Sequence, residues 1–596
     1  MEMETAGNTW VWIFLGLYII YCFYWGLRGY FTEKTSSGYS IGGRGIPMIA
    51  FMMAATAASF SGWTTVGHPG LIWMSGLAYA FASMYALTIP ITGTFFAKRN
   101  WMLGKRYGFV TPGDMYAYYY KNEGVRWLVV LTAVLYGIFY SAVQLMAAGA
   151  LFQWVTGYSS TVGAIFLAAI VWFYVMTGGL KASTWVGVIQ MILLVFAIII
   201  IGGYTLHHFG GWSEFSTRVS SMDQEMLQVP GFANWTLFGG SWTSLMILTY
   251  MFALMGIQSS PAFTMWNFGN KNPKPFAWQQ VFMSTFIVGF CLFFFTAFQG
   301  LGAAMLDGNV LPEIASDGDV VPMLMAKFLP PFALGICFIG LIAAMHSTAA
   351  PYIGTAGTIL MRDVWWLKVR KKQGGHAEQI WVNRCFVTII TIIALAVGLT
   401  SKAALVMLGG LATAFGFIMY IPQLGVLWGL RWPGWGTFVG ILVGMIMVYL
   451  TYSVFKYPLT IHSAGWGTGV GLLFAYLVRL IGVRDDESAV ERQNELRNWI
   501  DSVEKPSPRG QSWRNAMKIV VPVWYLFAIG PLCLIGNNAF SFAGFPPLWS
   551  WQIVWWILGV IMMWALAFKA EMSAVTDEEI RRPADEPYTV VEETTE

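Results

Sequence analysis

The sequence predicts an all-α integral membrane protein whose central part is built from two five-helix halves. Three observations carry that reading. Of 596 residues, 57% are hydrophobic and 11% charged, and the mean hydropathy is +0.59, far too apolar for an ordinary water-soluble chain. Apolar runs long enough to cross roughly 30 Å of hydrocarbon as helices follow one another along the chain. Two of those runs, around Ala54 to Trp63 and around Leu254 to Pro261, give way to Gly, Pro and hydroxyl residues.

In chain order the runs fall near 9–28, 46–70, 74–96, 125–156, 161–178, 186–207, 236–260, 279–305, 326–353, 380–399, 403–428, 435–455, 465–482, 517–537 and 550–569, about fifteen spans. Cytoplasmic loops carry the excess of Lys and Arg. With the N-terminus outside, the clusters Arg28/Lys34/Arg44, Lys98/Arg99/Lys105/Arg106, Lys271/Lys274, Arg362/Lys368/Arg370/Lys371/Lys372 and Arg484 to Lys518 all fall inside, leaving Arg218, Lys327, Lys402 and Lys456 outside. The C-terminus is then cytoplasmic, and the expected location is the cell (inner) membrane. Met1 to Asn8 is acidic and has no basic leader, so the first helix is not expected to be a removable signal peptide. The net charge of +4 is accounted for by the basic loops and gives no reason to invoke nucleic acid. Cys22, Cys291, Cys337, Cys385 and Cys533 lack metal-ligand spacing and read as packing residues.

The polar pieces are short. They are an outer loop near 208–235, a segment at 485–516 whose residues Ser488 to Val503 can form an interfacial helix, and an acidic tail that reads as disordered. The resulting division is 1–45 (outer N-terminus, first helix and loop), 46–428 (core), 429–484 (additional helices), 485–516 (cytoplasmic segment), 517–569 (last two helices) and 570–596 (tail).

Counted from residue 46, the two interruptions fall in the first and sixth helices of a ten-helix stretch. Paired breaks at equivalent positions point to an inverted repeat with a binding site at mid-membrane, because backbone groups freed in a bilayer must line a cavity or hold a ligand. Within the predicted spans there is no Asp or Glu in the hydrocarbon core, which removes most support for a carboxylate-driven proton pump, a metal site or intramembrane hydrolysis. A cation at mid-depth must be held by neutral oxygens, a cage that suits a small monovalent ion better than a divalent one. The ninth run supplies candidates: the Ser347 and Thr348 hydroxyls, with the Ala344 carbonyl one turn earlier. No nucleophile and base pair is visible, so an enzyme is not expected.

Several motifs stand in order: Gly38-Tyr39-Ser40-Ile41-Gly42-Gly43-Arg44; Ser61-Gly62-Trp63 through Gly67-His68-Pro69-Gly70; Thr111-Pro112-Gly113-Asp114-Met115-Tyr116; Gly178-Gly179-Leu180-Lys181-Ala182 with Trp185 and Gln190; and Leu329-Pro330-Pro331 leading to Gly340 to Thr348 and Arg362-Asp363. In these the chain resembles the sodium/solute symporter family across roughly residues 10–480, nearest in flavour to its proline and pantothenate branch. The resemblance implies the five-plus-five inverted repeat typified by the bacterial leucine transporter, with one extra N-terminal and several C-terminal helices. It also implies sodium as coupling ion, no organic cofactor, and a main sodium site formed by the carbonyls of Ala57, Phe60 and Ala344 with the hydroxyls of Ser347 and Thr348.

Two departures matter. Where many members have Trp-Thr-Asp, an Asp linked to sodium passage or a further sodium site, this chain has Trp185-Val186-Gly187; and His346 stands directly before the hydroxyl pair, a candidate for pH sensing or coupling. For the solute, the expected lining is Ser59, which replaces an Asp of the proline transporters, with Gly62, Trp63, Gln144, Tyr250 and Gln258. No Lys or acid suits sugar hydroxyls, and the positive ends of broken helices can hold a carboxylate, so an amino acid or organic acid is favoured. The partners are then the solute, sodium and the lipid bilayer; no protein partner is legible. The rival readings are a proton-coupled or uncoupled transporter on the same fold and a transport-derived sensor.

Overall fold

A straight helix with the length of Ser160–His208, 49 residues, measures about 73 Å, more than twice the thickness of a bilayer's hydrocarbon. The computed structural model, which describes residues 5–234, 241–401 and 405–574, shows how the chain avoids this. Gly179 departs from helical geometry at φ 59°, ψ −152°, a region that is essentially glycine-only. Tyr174 and Gln190 lie on either side of it, and a straight helix would set them about 24 Å apart. Tyr174 donates to the His346 carbonyl at 3.1 Å, whereas Gln190 donates to Tyr18, which bonds the same His346 through its ring. The chain therefore folds back at Gly179, giving the two spans expected at 161–178 and 186–207. Gly76 (φ 58°, ψ −145°) makes the same kind of turn inside the 45-residue run Trp63–Tyr107.

A Cβ at Gly179 would sit 2.3 Å from the Tyr39 carbonyl oxygen. Gly179→Ala is expected to destabilise the protein by about 1–3 kcal/mol from backbone strain alone. Thermal unfolding in detergent reads this as a lowered Tm, and an unchanged Tm would rule the turn out.

Among the described residues no strand occurs, only isolated bridges pairing Ile46 with Asn270 and Phe542 with Phe545. Ten helices, or up to 12 if each bent pair is one span, are long and apolar enough to cross a membrane. About fifteen were expected, and the shortfall has physical causes. Two of the ten are the double-length runs just described; Met48–Ser59 is a short half-helix; and Ser463–Leu480 is diluted by Gly465, Gly467, Gly469 and Gly471.

Several boundaries move. The run expected from 326 begins at Pro331, because Leu329-Pro330-Pro331 ends the helix Val320–Phe328 and starts Pro331–Ile359. The run expected from 517 begins at Pro508 behind the Ser507 cap and bends by 53° before Pro531–Asn538. The second interruption lies between two helices rather than at the end of a run: Ser244–Ser259 is followed by Pro261–Gly269 across a 40° bend. Cys385 is exposed, while the other four cysteines are buried. The start of the 236–260 run, Lys402 and all but the first residues of the acidic tail lie outside the described residues.

The basic clusters gather on one face of the helical body, where buried ion pairs tie distant segments together. Glu504, between the helices Glu487–Val503 and Pro508–Ala528, lies 2.6 Å from Arg99 and 3.3 Å from Arg514, with Lys98 at 3.8 Å. Burial pushes its carboxyl up, but Arg99, Lys98 and Arg514 outweigh that and hold it below its ordinary value. The helix Glu487–Val503 buries Ala489, Leu496, Ile500 and Val503, and its Arg497 donates to the Leu427 carbonyl at 2.9 Å. It packs on the protein.

Candidate functional site

The first break is made by side chains that compete with the helix for its own backbone. Thr56 and Ser59 bond back to the carbonyls of Met52 and Ala55 at 2.7 and 2.9 Å, an arrangement that weakens and bends helices. Phe60 then turns extended (φ −121°, ψ 91°), its N–H donating to the Thr56 and Ala57 carbonyls. On the far side, Ser61 Oγ accepts from the Trp63 N–H at 3.1 Å, and Gln144 Oε1 from the Gly62 N–H at 2.9 Å. A Cβ at Gly62 would meet Met345 Cγ at 2.7 Å, so the break is pressed directly against the helix that carries the hydroxyl pair.

That contact brings together four of the five residues assigned to the cation. Ser347 Oγ is 2.9 Å from the carbonyl oxygens of both Ala57 and Ala344; Thr348 Oγ1 is 3.3 Å from those of Ala58 and Ala344. All are buried. Phe60 stands at the break itself, its ring 5.4 Å from that of Tyr85. Ala58, which the sequence reading passed over, supplies a carbonyl because the helix ends just beyond it, leaving that oxygen without its i+4 donor.

His346 forms a buried group with Tyr18, whose hydroxyl is 3.0 Å from Nδ1; Nε2 has no hydrogen-bond partner among the described residues. A side chain at Gly187 would meet the Ala54 Cβ at 2.6 Å. The first half-helix thus packs directly over Gly187.

The expected solute residues divide. Tyr250 lines a cavity of about 1030 Å³ together with Trp242, Tyr457, His462 and Asp317. Trp63 packs behind Tyr250, ring centroids 6.3 Å apart. Ser59 is spent on its own helix, Gln144 and Gly62 bond each other, and Gln258 Oε1 lies against Gly93, where a Cβ would come within 1.9 Å of it; none of these four lines the cavity. Around Tyr250 several buried polar atoms have no hydrogen-bond partner among the described residues: Tyr250 and Tyr79 hydroxyls, Trp63 Nε1, His68 Nδ1 and His462 Nε2. Sequence reasoning named His68 only as part of a motif. It missed His462, Trp242 and Asp317, which sit at span ends and in loops without periodicity.

On the basic face two separate motifs meet. Asp114 lies 2.7 Å from Arg362 and 2.9 Å from Arg126, and Arg126 also pairs with Asp363. Burial raises the Asp114 carboxyl, but Arg362 and Arg126 outweigh it and hold the group well below the usual carboxylate range.

A broken span whose freed oxygens meet a hydroxyl pair, with a cavity whose Tyr250 wall packs against Trp63 of that break, fits a membrane transporter. Residues 39–447 match the sodium:solute symporter family, and the chain belongs to it. Its relatives include the sodium/pantothenate symporter of Haemophilus influenzae, 23% identical over 500 residues that cover 80% of this chain and 98% of that one. The sodium/proline symporter of Salmonella typhimurium is 23% identical over 475 residues, 76% of this chain and 88% of the relative. Among solved structures, a substrate-bound, outward-open Na+-coupled sialic acid symporter covers 82% of this chain and 100% of its own at a TM-score of 0.68 and 16% identity, a likeness of fold.

Proposed function

We propose that the protein couples sodium entry to uptake of a small organic solute, an amino acid or other carboxylate, by alternating access. The fold would be a five-plus-five inverted repeat spanning 46–428, within about fifteen spans in all. The N-terminus would face outward and the C-terminus the cytoplasm, with the basic face inside. Sodium would sit among the oxygens of Ala57, Phe60, Ala344, Ser347 and Thr348. The observation that carries the reading is the pair of contacts from Ser347 to Ala57 and from Thr348 to Ala58. An ion bound there joins the first half-helix to the Pro331–Ile359 helix, so it favours whichever state keeps them together, and a solute favoured by that state is coupled to it. Ser59, Gly62, Trp63, Gln144, Tyr250 and Gln258 remain the residues assigned to the solute path, with Tyr250 and Trp63 nearest the cavity.

Sodium is expected to raise the Tm of the purified protein in a titration of NaCl against KCl at constant ionic strength, since a ligand that binds only the folded state stabilises it by mass action. Identical melting across the series would overturn sodium coupling. A proton-coupled reading is favoured by one observation, the buried His346 ring whose Nε2 has no hydrogen-bond partner among the described residues. Uptake driven by a pH gradient in sodium-free proteoliposomes would select it.

A further inference from the structure

The loop between Leu306 and Val320 holds three aspartates, and two of them are fully engaged. Asp307 accepts from Trp73 Nε1 at 3.0 Å and from the Ile314 N–H at 2.8 Å; Asp319 accepts from Trp154 Nε1 and from Ser316 Oγ, both at 2.7 Å. Asp317 differs. Its Oδ1 takes the Gly318 N–H at 3.1 Å, while Oδ2 is buried without a hydrogen-bond partner among the described residues. The residue is only 7% exposed and lines the cavity that holds Tyr250. Burial pushes its carboxyl up. An unmatched buried carboxylate is costly, and this one is held in place: its own carbonyl oxygen would lie 2.1 Å from a Cβ at Gly70, on the outer half of the broken span.

The rest of the wall supplies what a cation and a carboxylate each need. Among the described residues no Lys or Arg lines the cavity, and Glu225 stands on its rim. The rings of Trp242 and Tyr250 are 5.3 Å apart, those of Tyr250 and His462 5.1 Å, and those of His462 and Tyr457 5.0 Å; such faces attract ammonium groups. Toward the broken helix the free groups are donors. His462 Nδ1 accepts the Ala464 N–H at 3.2 Å, which in the neutral ring leaves the proton on Nε2. That Nε2–H and the Tyr250 hydroxyl are both without a hydrogen-bond partner among the described residues.

We propose that this cavity recognises a zwitterion, with Asp317 Oδ2 receiving the ammonium group against the aromatic wall and the His462 and Tyr250 donors receiving the carboxylate. The proposal rests on the symport reading and narrows its solute from carboxylates in general to amino acids and betaines. A simple organic anion would meet the Asp317 charge with nothing to offset it.

The test is a thermal-shift and calorimetric series in NaCl with amino acids and N-methylated betaines, each paired with its deaminated carboxylate; L-proline with cyclopentanecarboxylate is one such pair. At least one zwitterion is expected to raise the Tm where its deaminated partner does not. Asp317→Asn should weaken that binding about tenfold or more, the loss of a charged hydrogen bond, while its Tm without solute stays equal or rises, because a buried charge has been removed. Stabilisation by plain carboxylates, or an Asp317→Asn variant that binds as well as the parent, would overturn the inference and leave sodium symport standing. No zwitterion effect in the whole series would also overturn it. Absence of any sodium response, by contrast, would fail the symport reading itself.

Discussion

With Ser347 and Thr348 both replaced by alanine, the protein is expected to melt at the same temperature in sodium as in potassium. The two hydroxyls reach across from one helix to the Ala57 and Ala58 carbonyls of another, and among the described residues no carboxylate bonds to these oxygens to compensate for their removal. At a hundredfold excess over its dissociation constant, a bound ion stabilises the folded protein by about 2.7 kcal/mol, and the double variant forfeits all of it. The direct cost of the lost hydrogen bonds is smaller, about 0.5–1.5 kcal/mol each, so the variant still folds and the missing sodium response is readable. Thr348→Ser, which retains a hydroxyl, should restore part of that response. A sodium-induced shift as large in the double variant as in the parent would sink the assignment.

Arg126→Met is expected to destabilise the protein by about 3–5 kcal/mol, the cost of leaving a buried charge without its partner. Arg126 serves Asp114 and the fully buried Asp363 together, and Arg362 can neutralise only one of them. The double variant Arg126→Met/Asp363→Asn should recover much of the loss, a non-additivity that a double-mutant cycle measures directly. Independent losses that simply add would contradict the shared cluster. The depressed Asp114 carboxyl fixes the pH response: its contribution is present above the ordinary aspartate value of about 4 and is lost only as pH falls through the lower folded value. Between pH 5 and 8 the stability supplied by Asp114 should be flat.

The break at Phe60 was legible because its cause is local. A run of Ala, Thr and Ser in a membrane-length segment offers hydroxyls that bond back to the helix, and composition alone reveals that. The hydroxyl pair at Ser347 and Thr348 was legible for a similar reason. The carbonyl opposite Thr348 was not, since which oxygen a break exposes depends on where the chain turns, by one residue. Trp242, His462 and Asp317 escaped because loop residues follow no period and meet only in three dimensions. Polarity inside a span says less about direction: Ser59 bonds the Ala55 carbonyl of its own helix and Gln258 Oε1 lies against Gly93, so neither lines the cavity at Tyr250. The two folded-back runs show that apolar length measures how much chain is buried, while a single glycine decides how many times it crosses.

The ion pair between Arg99 and Glu504 spans 405 positions, and this imposes an order on biogenesis. At about 5–20 residues per second, Glu504 leaves the ribosome roughly 20–80 s after Arg99. Throughout that interval Lys98 and Arg99 belong to a chain that does not yet contain the carboxylate they are buried against. Helices synthesised last are therefore needed to finish a part synthesised early, and a nascent chain stopped after the core but before residue 504 would present Lys98 and Arg99 to the cell's quality control without the Glu504 carboxylate.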